Sequence, residues 1–408
     1  MNKRPKSILW KISMKILVVQ ESDWFERGPL QQNHLMEMLS LRGHEIRVID
    51  HEILWPEKDH KELISKREVF EDTSRIYEKS SITVIRPPII KLPTLDYISL
   101  VLTRKKEIER QIKEFKPDVI VGFFMLSAYL GMKAAKKHNI PFVYYWIDIY
   151  HSQIPLKLYQ PLGKSIEKYV LKNSDAVIAI NKKLKDRVIE LGANPNKTYI
   201  ERAGIDFKRF NSEIEGAEIR KKYGFKEDDT ILLFVGVLYN FSGLKELAEE
   251  FGKKLGNYPN IKLLFVGNGN AYDDLIEIRD KYRLQNQLIL TGKQPFDNIP
   301  KFIAAGDICI LPAYLTEIMV DIVPIKMYEY MAMKKPVIST ELPGVMNEFG
   351  DANGVFYVKS AEELLCKAMD LIKLDVIKKE GKKAKAFVSN SDWNKIADHF
   401  ENLIGEIK

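Results

Sequence analysis

Residues 14–20 read MKILVVQ, and residues 230–238 read TILLFVGVL. Each is a nearly unbroken apolar run, which is the pattern of a strand buried on both faces of a parallel sheet. After each run, further short apolar runs alternate with helical patterns along the chain. Such alternation predicts a doubly wound parallel sheet, so the two series together predict two α/β domains.

The two series have clear limits along the chain. The strand patterns of the first series are residues 14–20, 45–50, 82–86, 118–123, 141–148 and 175–180. Those of the second series are residues 230–238, 261–267, 287–292, 307–311, 336–340 and 354–358. Residues 51–81 are charged and weakly periodic, which indicates an excursion on the first domain. We expect an N-terminal extension at residues 1–13, a first domain at 14–206 and a second domain at 207–390, with either Met1 or Met14 as the start.

The composition is typical of a globular protein with apolar cores. The chain has 408 residues, of which 45% are hydrophobic and 29% charged, and this excludes wholesale disorder, collagen-like repeats and a disulfide scaffold. The two cysteines, Cys309 and Cys366, form no CxxC pair and favour a reducing compartment. The sequence has no apolar run of about 18 residues and no signal-peptide pattern, so we expect a cytoplasmic protein.

The charge is distributed unevenly between the two halves. The formal net charge is +7, yet residues 1–210 carry 37 Lys and Arg against 26 Asp and Glu, while the rest carries 26 against 30. A basic first half favours an anionic partner, although a solvated surface rich in Lys and Glu is an equal alternative. Nucleic acid is the least favoured partner, because the basic residues alternate with acids instead of forming one stripe with stacking aromatics.

The strongest local signal is DIVPIKMYEYMA at residues 321–332. Pro324 fits the first turn of a helix. Lys326 and Glu329 are three residues apart, so they share a face near the amino end, where free N–H groups and the helix dipole favour anions. A carboxylate there can accept hydrogen bonds from a ribose while the lysine and the amides hold a phosphate. The alternative is an ordinary exposed Lys–Glu pair.

A set of short motifs occurs in order along nearly the whole chain. They are RGHE at 42–45, KPDVI at 116–120, SDAVIA at 174–179, AGID at 203–206, FVG at 234–236, FVGNG at 265–269, GD at 306–307, LP at 311–312 and YEYMA at 328–332. In this order the chain resembles the GT-B fold glycosyltransferases of family 4, which are retaining enzymes that use nucleotide sugars. The resemblance implies two Rossmann-like, doubly wound parallel-sheet domains that face a central cleft. It also implies that a last helix at residues 391–408 packs back on the first domain.

The resemblance assigns the donor sugar and ribose to two acids. Glu329 would bind the donor ribose, and an acid eight residues earlier would lie close to the transferred sugar. Asp321 stands at that spacing. The segment before it is longer than is usual in the family, so Glu317 competes for the same role.

The resemblance leaves the donor phosphates without their usual cations. The family often places an Arg and a Lys where this chain has Val237 and Ser242, which are both neutral. Lys326, with backbone amides near Gly236 and Ser242, could supply the missing charge. The alternative is a catalytically inactive GT-B subunit that binds a partner.

Other strand ends carry weaker candidates. Asp148 ends a strand and would orient or deprotonate the acceptor hydroxyl, whereas a loop cap is the plain alternative. His151 lies three residues later, and a structural role is the favoured reading for it. By resemblance, Gly28 would let backbone N–H groups approach the donor phosphate, and Gly267 with Asn268 would border the base.

We expect the chain to move a sugar from a nucleotide diphosphate sugar to a hydroxyl, with retention of the anomeric configuration. A lipid-linked or polysaccharide-precursor acceptor is favoured, because basic clusters at residues 103–106 and 182–185 could dock on anionic lipids at the inner face of the membrane. A small soluble sugar is the alternative acceptor. No DxD-type acid cluster stands on a candidate loop, so we expect no cofactor and no essential metal. An epimerase or a phosphorylase on the same fold is less favoured.

Overall fold

The structure is a computed structural model, and the chain divides into two compact units. It describes residues 13–26, 29–52, 62–93, 95–154, 156–254, 258–316, 319–320 and 322–407. The first unit consists of the described residues of Met1–Glu201 and Asn394–Lys408, and the second of those of Arg202–Trp393. Both are α/β, and the predicted fold class is confirmed.

The first unit is built on an eight-stranded sheet. Its strands are β1 (Lys15–Val19), β2 (Glu45–Ile49), β3 (Glu68–Thr73), β4 (Ile82–Arg86), β5 (Val119–Phe123), β6 (Phe142–Trp146), β7 (Ala176–Ala179) and β8 (Thr198–Ile200). They lie in the order β3-β4-β2-β1-β5-β6-β7-β8. All neighbours are parallel except β3, which runs antiparallel to β4 at the edge. The helices that follow the strands are α1 (Gln31–Leu41), α2 (Leu95–Glu114), α3 (Leu126–His138), α4 (Gln160–Asn173) and α5 (Lys182–Glu190).

The second unit is built on a six-stranded, wholly parallel sheet. Its strands are β9 (Thr230–Val235), β10 (Ile261–Val266), β11 (Leu288–Leu290), β12 (Ile308–Leu311), β13 (Val337–Thr340) and β14 (Val355–Val358). They lie in the order β11-β10-β9-β12-β13-β14. The helices are α6 (Ala217–Lys222), α7 (Leu244–Lys254), α8 (Tyr272–Lys281), α9 (Ile299–Ala305), α10 (Ile325–Ala332), α11 (Pro343–Phe349), α12 (Ala361–Lys373) and α13 (Ile377–Val388).

The strand order of each sheet identifies the edge where a ligand site is expected. In the first unit the order reverses between β1 and β5, and in the second between β9 and β12. In open parallel sheets, ligands bind beyond the carboxyl ends of the strands at such a reversal. The loops that follow β9 and β12 are therefore the first place to examine in the second unit.

Arg104 lies in the interior, and its predicted place at a basic surface is wrong. It is 1% exposed, and its guanidinium donates to the backbone carbonyls of Gln20 and Asp50 at the ends of β1 and β2. Burial lowers the pKa of Arg104 to about 10. The basic cluster at residues 103–106 therefore presents only its two lysines to solvent.

The last helix, α14 (Trp393–Ile407), packs in the first unit through a buried carboxylate. Glu401 accepts hydrogen bonds from Arg42 Nη1 at 2.8 Å and from His44 Nε2 at 2.9 Å. His44 Nδ1 accepts the backbone N–H of Met14 at 3.1 Å, so the ring hydrogen must be on Nε2. Within the described residues, no helix is both long and apolar enough to cross a bilayer.

Replacing Glu401 by Ala should destabilise the first unit. The change leaves the buried His44 without its carboxylate partner and leaves Arg42 with the more exposed Asp398, which costs about 2–3 kcal/mol. The free energy of unfolding, measured by urea denaturation, should fall by that amount. Glu406→Ala on the exposed side of the same helix is the matched control and should change it little. Equal effects of the two substitutions would contradict the assignment.

Candidate active site

The amino end of α10 lies against the carboxyl end of β9. The β9–β12 ladder reaches only Leu233, so the backbone of Val235 has no strand partner on that side. The hydroxyl of Tyr330 accepts the Val235 N–H at 2.8 Å and donates to the Val235 carbonyl at 3.3 Å. Tyr330 is fully buried, and it therefore fixes the position of α10 relative to the strand end.

Two glycine turns follow the central strands and pack tightly together. Gly236 follows β9 with φ +139°, and Gly267 follows β10 with φ +148°. A Cβ on Gly267 would overlap the carbonyl oxygen of Gly236, and a Cβ on Gly236 would lie 2.5 Å from Lys326 Nζ. Both positions therefore require glycine, for their φ angles and for space. The structure thus brings the predicted site residues Gly236 and Gly267 together and places Lys326 at Gly236, while their contacts with a donor stay predictions.

Backbone hydrogen bonds connect the loops after β9, β10 and β11. The Gly267 N–H donates to the Gly292 carbonyl at 3.1 Å, and the Leu238 N–H donates to the Asn268 carbonyl at 3.0 Å. Asn268 Oδ1 accepts the N–H of Gly269 at 2.8 Å. The exposed Asn268 side chain therefore stabilises its own loop, and its contact with a base stays a prediction.

Lys326 and Glu329 form a coupled pair of charges in a poorly hydrated place. Lys326 Nζ lies 4.0 Å from the centroid of the Phe234 ring, a cation–π contact. Burial lowers the pKa of Lys326 to about 8, although the nearby Glu329 opposes the shift. Burial likewise raises the pKa of Glu329 to about 7, against the opposing charges of Lys326 and Arg209. Each group thus has a pKa close to neutral pH. Shifted pKa values of this kind are common in functional sites.

Arg209 is a third charged residue of this region, and the sequence reasoning missed it. Its guanidinium stacks 4.8 Å from the centroid of the Phe296 ring and pairs with Asp297. Its charge reaches Glu329, where it lowers the pKa of that carboxyl. Arg209 follows the AGID motif at 203–206 by three residues, but no spacing rule connects it to Glu329, far along the chain.

Ser242 lies near this site but its amide is already used. It is 5% exposed and ends a short 3₁₀ turn, where its N–H donates to the Tyr239 carbonyl at 3.0 Å. The next residue, Gly243, has φ +67°, and a Cβ there would overlap the Pro312 carbonyl oxygen. The turn is therefore held against the loop after β12, while a phosphate contact by Ser242 stays a prediction.

Three predicted site residues lie outside the described residues. They are Asp321 and Glu317, the two candidates for the acid near the transferred sugar, and Gly28 of the first unit. The choice between the two acids stays open, as does the role of Gly28.

A cavity of about 640 Å³ opens at the carboxyl ends of β12 and β13, between α7 and α12. Four glutamates and one lysine are among its lining residues: Glu246, Glu250, Glu341, Glu362 and Lys359. The net negative charge of these five side chains disfavours the binding of a diphosphate. Neither Lys326 nor Glu329 lines the cavity, so it is separate from the site at α10.

In the first unit, Asp148 and His151 stand just beyond β6. Asp148 Oδ1 accepts the N–H of Ile149 at 2.7 Å, as a loop cap does. His151 is 8% exposed, and its Nδ1 bonds to Glu167 of α4. The other oxygen of Glu167 accepts the indole N–H of Trp146 at 2.6 Å. With a carboxylate at Nδ1, a neutral His151 carries its hydrogen there and keeps Nε2 as an acceptor.

The structure shows no ready metal site in the part of the chain that it describes. There, no three or more His, Cys, Asp or Glu side chains are grouped as metal ligands would be. Metal independence stays a prediction.

Two sequence-family models match the chain and together span most of it. The model described as Glycosyltransferase Family 4 matches residues 33–209, and the model described as Glycosyl transferases group 1 matches residues 216–400. Their order along the chain is the order of the two units. The chain belongs to the group 1 glycosyltransferases of family 4.

Curated relatives of this glycosyltransferase are distant. The chain is 26% identical over 203 residues to alpha-D-kanosaminyltransferase of Streptomyces kanamyceticus. This match covers 48% of the chain and 51% of the relative. It is 26% identical over 260 residues to the putative teichuronic acid biosynthesis glycosyltransferase TuaC of Bacillus subtilis, which covers 63% of this chain and 61% of the relative. Alpha-monoglucosyldiacylglycerol synthase of Acholeplasma laidlawii is 24% identical over 348 residues, covering 81% and 80%. The match thus spans between half and two thirds of the first two relatives.

Solved structures confirm the GT-B fold of this glycosyltransferase. Sucrose-phosphate synthase from Thermosynechococcus elongatus superposes with a TM-score of 0.73 at 18% identity, over 97% of this chain and 99% of that one. Anabaena HepE in complex with UDP-glucose superposes with a TM-score of 0.72 at 16% identity, over 96% and 100%. At these identities the likeness establishes the fold alone.

One position where this glycosyltransferase departs from its family adjoins the glycine turn that Lys326 approaches. Val237 directly follows Gly236 and is 47% exposed. Because it is apolar, it contributes no charge at the turn. Lys326 is instead the cation that meets the backbone at Gly236. The sequence analysis named neither Tyr330 nor Glu167 as a site residue. Glu167 did leave a signal, since it is the single acid within residues 156–173.

The affinity of this site for a nucleoside diphosphate should fall with rising pH. Lys326 loses its charge through a pKa of about 8, and Glu329 gains a repelling charge through a pKa of about 7. Calorimetry with whichever of UDP, GDP or ADP binds best should show up to about a tenfold loss from about pH 7 to about pH 9. Lys326→Met should weaken binding and flatten this dependence.

Lys367→Met is the matched control for that experiment, because Lys367 also lies over an aromatic ring, that of Phe356, on α12. It should keep both the affinity and the pH dependence of the unchanged protein. Wild-type binding by the Lys326→Met variant would show that the lysine does not hold the diphosphate.

Proposed function

We propose that this chain is a hexosyltransferase-type enzyme that moves a sugar from a nucleotide diphosphate sugar to a hydroxyl, with retention of the anomeric configuration. The observation that carries the proposal is the meeting of Lys326, at the amino end of α10, with the glycine turn after β9. A helix amino end beside backbone turns favours an anion, and the partly buried lysine adds a full positive charge. HepE, which shares the fold, was solved with UDP-glucose.

The proposed roles follow from this geometry. Glu329, one turn after Lys326, would accept hydrogen bonds from the donor ribose. Lys326 would stabilise the negative charge that develops on the leaving diphosphate, which is the kind of electrostatic contribution that dominates such catalysis. Asp321 or Glu317 would orient the transferred sugar.

The first unit would bind the acceptor beyond β6. Asp148 would orient the acceptor hydroxyl, and His151, held by Glu167, would offer Nε2 as an acceptor. We favour a lipid-linked or polysaccharide-precursor acceptor. The support is the basic balance of the first half and the name of one relative, a monoglucosyldiacylglycerol synthase.

An inactive GT-B binding subunit is the second candidate, and the neutral residues at 237 and 242 favour it. Such a protein would bind a nucleotide sugar without cleaving it, or would bind none. A transferase that acts on a small soluble sugar is a variant of the first proposal, and it differs only in the acceptor.

A donor panel distinguishes these functions. The protein should be stabilised against heat by one of UDP, GDP, ADP or CMP, and should release that nucleotide from its sugar conjugate when an acceptor is supplied. Diacylglycerol carried in detergent micelles and free monosaccharides serve as the two acceptor classes, and NMR of the product gives the anomeric configuration. Binding without release would favour the inactive subunit. If the protein neither bound any of these nucleotides nor released one from any donor, the proposal would be overturned.

A further inference from the structure

Three helices form one layer on a face of the first sheet. The central helix, α3, packs against both α2 and α4. These helices follow the parallel strands β4, β5 and β6 in turn, so each begins at the carboxyl edge of the sheet. Asp148 and His151 stand at that same edge, which the proposed function gives to the acceptor.

The outer helices of this layer expose large apolar side chains near their amino ends. Before and within α4, Leu158 is 84% exposed and Leu162 is 60% exposed, while Tyr169 lies two turns after Leu162 on the same face. On α2, Leu102 is 67% exposed and Ile98, one turn earlier, is also exposed. Exposed apolar side chains that gather on one face indicate a contact surface. We call these five residues, together with the exposed lysines at 157, 164, 168 and 172 and at 105 and 106, the layer face.

Lysines surround these apolar residues. Residues 157–173 carry four lysines and one acid, and α3 carries three lysines and no acid. Among the described residues, the four lysines at 157, 164, 168 and 172 form no ion pair. The one acid, Glu167, points inward to Trp146 and His151. The outward surface of α4 is therefore apolar and positive.

The acids of α2 do not reverse this balance. Of its four acids, Asp96 and Glu107 are buried, Glu109 pairs with Lys137, and Glu114 is exposed at the far end of the helix next to Lys113. On the same helix, Lys105 and Lys106 face solvent beyond Leu102. Both outer helices thus carry exposed apolar residues together with lysines that face solvent.

We propose that the layer face docks this protein on an anionic lipid bilayer. Leucines with an interfacial tyrosine and flanking lysines fit the boundary between acyl chains and headgroups. Lysines near an anionic membrane are attracted to it, whereas lysines are depleted from the cores of protein–protein interfaces. A protein partner therefore fits this chemistry less well.

The proposal rests on the proposed function and adds to it the surface that meets the lipid. Docking here would place the edge that holds Asp148 and His151 next to the headgroups. A hydroxyl on a lipid-anchored acceptor could then reach that edge without leaving the bilayer. The acceptor class that follows is a lipid whose hydroxyl lies at headgroup depth.

Vesicle co-sedimentation tests the layer face at low salt. The wild-type protein should sediment with vesicles of equimolar phosphatidylcholine and phosphatidylglycerol, and little with phosphatidylcholine alone. Leu158→Ser with Leu162→Ser, and separately Lys164→Glu with Lys168→Glu, should each lower the partition coefficient by about tenfold or more. Equal sedimentation with both kinds of vesicle, or with neither, would overturn the proposal.

Two matched controls make the test specific. Leu63→Ser with Leu374→Ser removes two leucines that are each more than 60% exposed and that lie outside α2, α3 and α4. Lys378→Glu with Lys382→Glu makes the same change of charge, at the same spacing, on exposed positions of α13. Both controls should keep the wild-type partition coefficient, and a loss equal to that of the layer-face variants would refute the assignment.

Nucleotide binding separates this proposal from the proposed function. The layer-face variants should bind the donor nucleotide with the wild-type affinity, because they leave Lys326 and Glu329 untouched. Nucleotide release without vesicle binding would overturn docking alone. Vesicle binding without nucleotide binding would overturn the proposed function and leave docking standing.

Discussion

The approach of Lys326 to the backbone at Gly236 is the constraint on which the second unit's site depends. Because the six strands are parallel, their carboxyl ends all reach one edge. Glycines at 236 and 267 allow the turns there to stack and allow the lysine to reach them. The price is a charge in a poorly hydrated place, which the Phe234 ring and Glu329 partly offset. A bound diphosphate would add negative charge beside Lys326. It would thereby raise the pKa of the lysine and keep it protonated.

Buried carboxylates have the corresponding role in the first unit. Glu167 joins α4 to the loop after β6, and Glu401 joins α14 to the turn after α1. Glu37 of α1 accepts the N–H groups of Ile76 and Tyr77, each at 2.9 Å, and so holds the segment before β4. Each carboxylate bonds groups that are far apart in sequence. Removing one partner of such a pair is costly, so these acids hold together segments of the first unit that are distant in sequence.

Apolar patterning predicted both sheets well. Every predicted strand run contains a strand of the structure, because buried parallel strands require unbroken apolar runs. The strand β3 was missed: it is a charged edge strand, EVFEDT, with little burial. The strand β8 is only three residues long, too short for its pattern to stand out. The likeness of the chain to its family supplied the order of the domains.

The site was predictable only where its residues are neighbours in sequence. Lys326 and Glu329 follow from helix spacing, and the glycine turns follow from the ends of strands. Tyr330, Glu167 and Arg209 act through contacts with distant segments, which no local pattern indicates. The surface position predicted for Arg104 was wrong for the same reason, because the carbonyl groups that bind its guanidinium lie at the ends of two strands distant in sequence.

The most direct measurement compares a nucleoside diphosphate with the monophosphate of the same nucleoside by calorimetry. If Lys326 and the amino end of α10 hold the outer phosphate, the diphosphate should bind about tenfold tighter or more, since a charge-assisted contact contributes about 1.5–3 kcal/mol. Equal affinity for the two nucleotides would show that this end of the helix holds no phosphate, and would contradict the site described here.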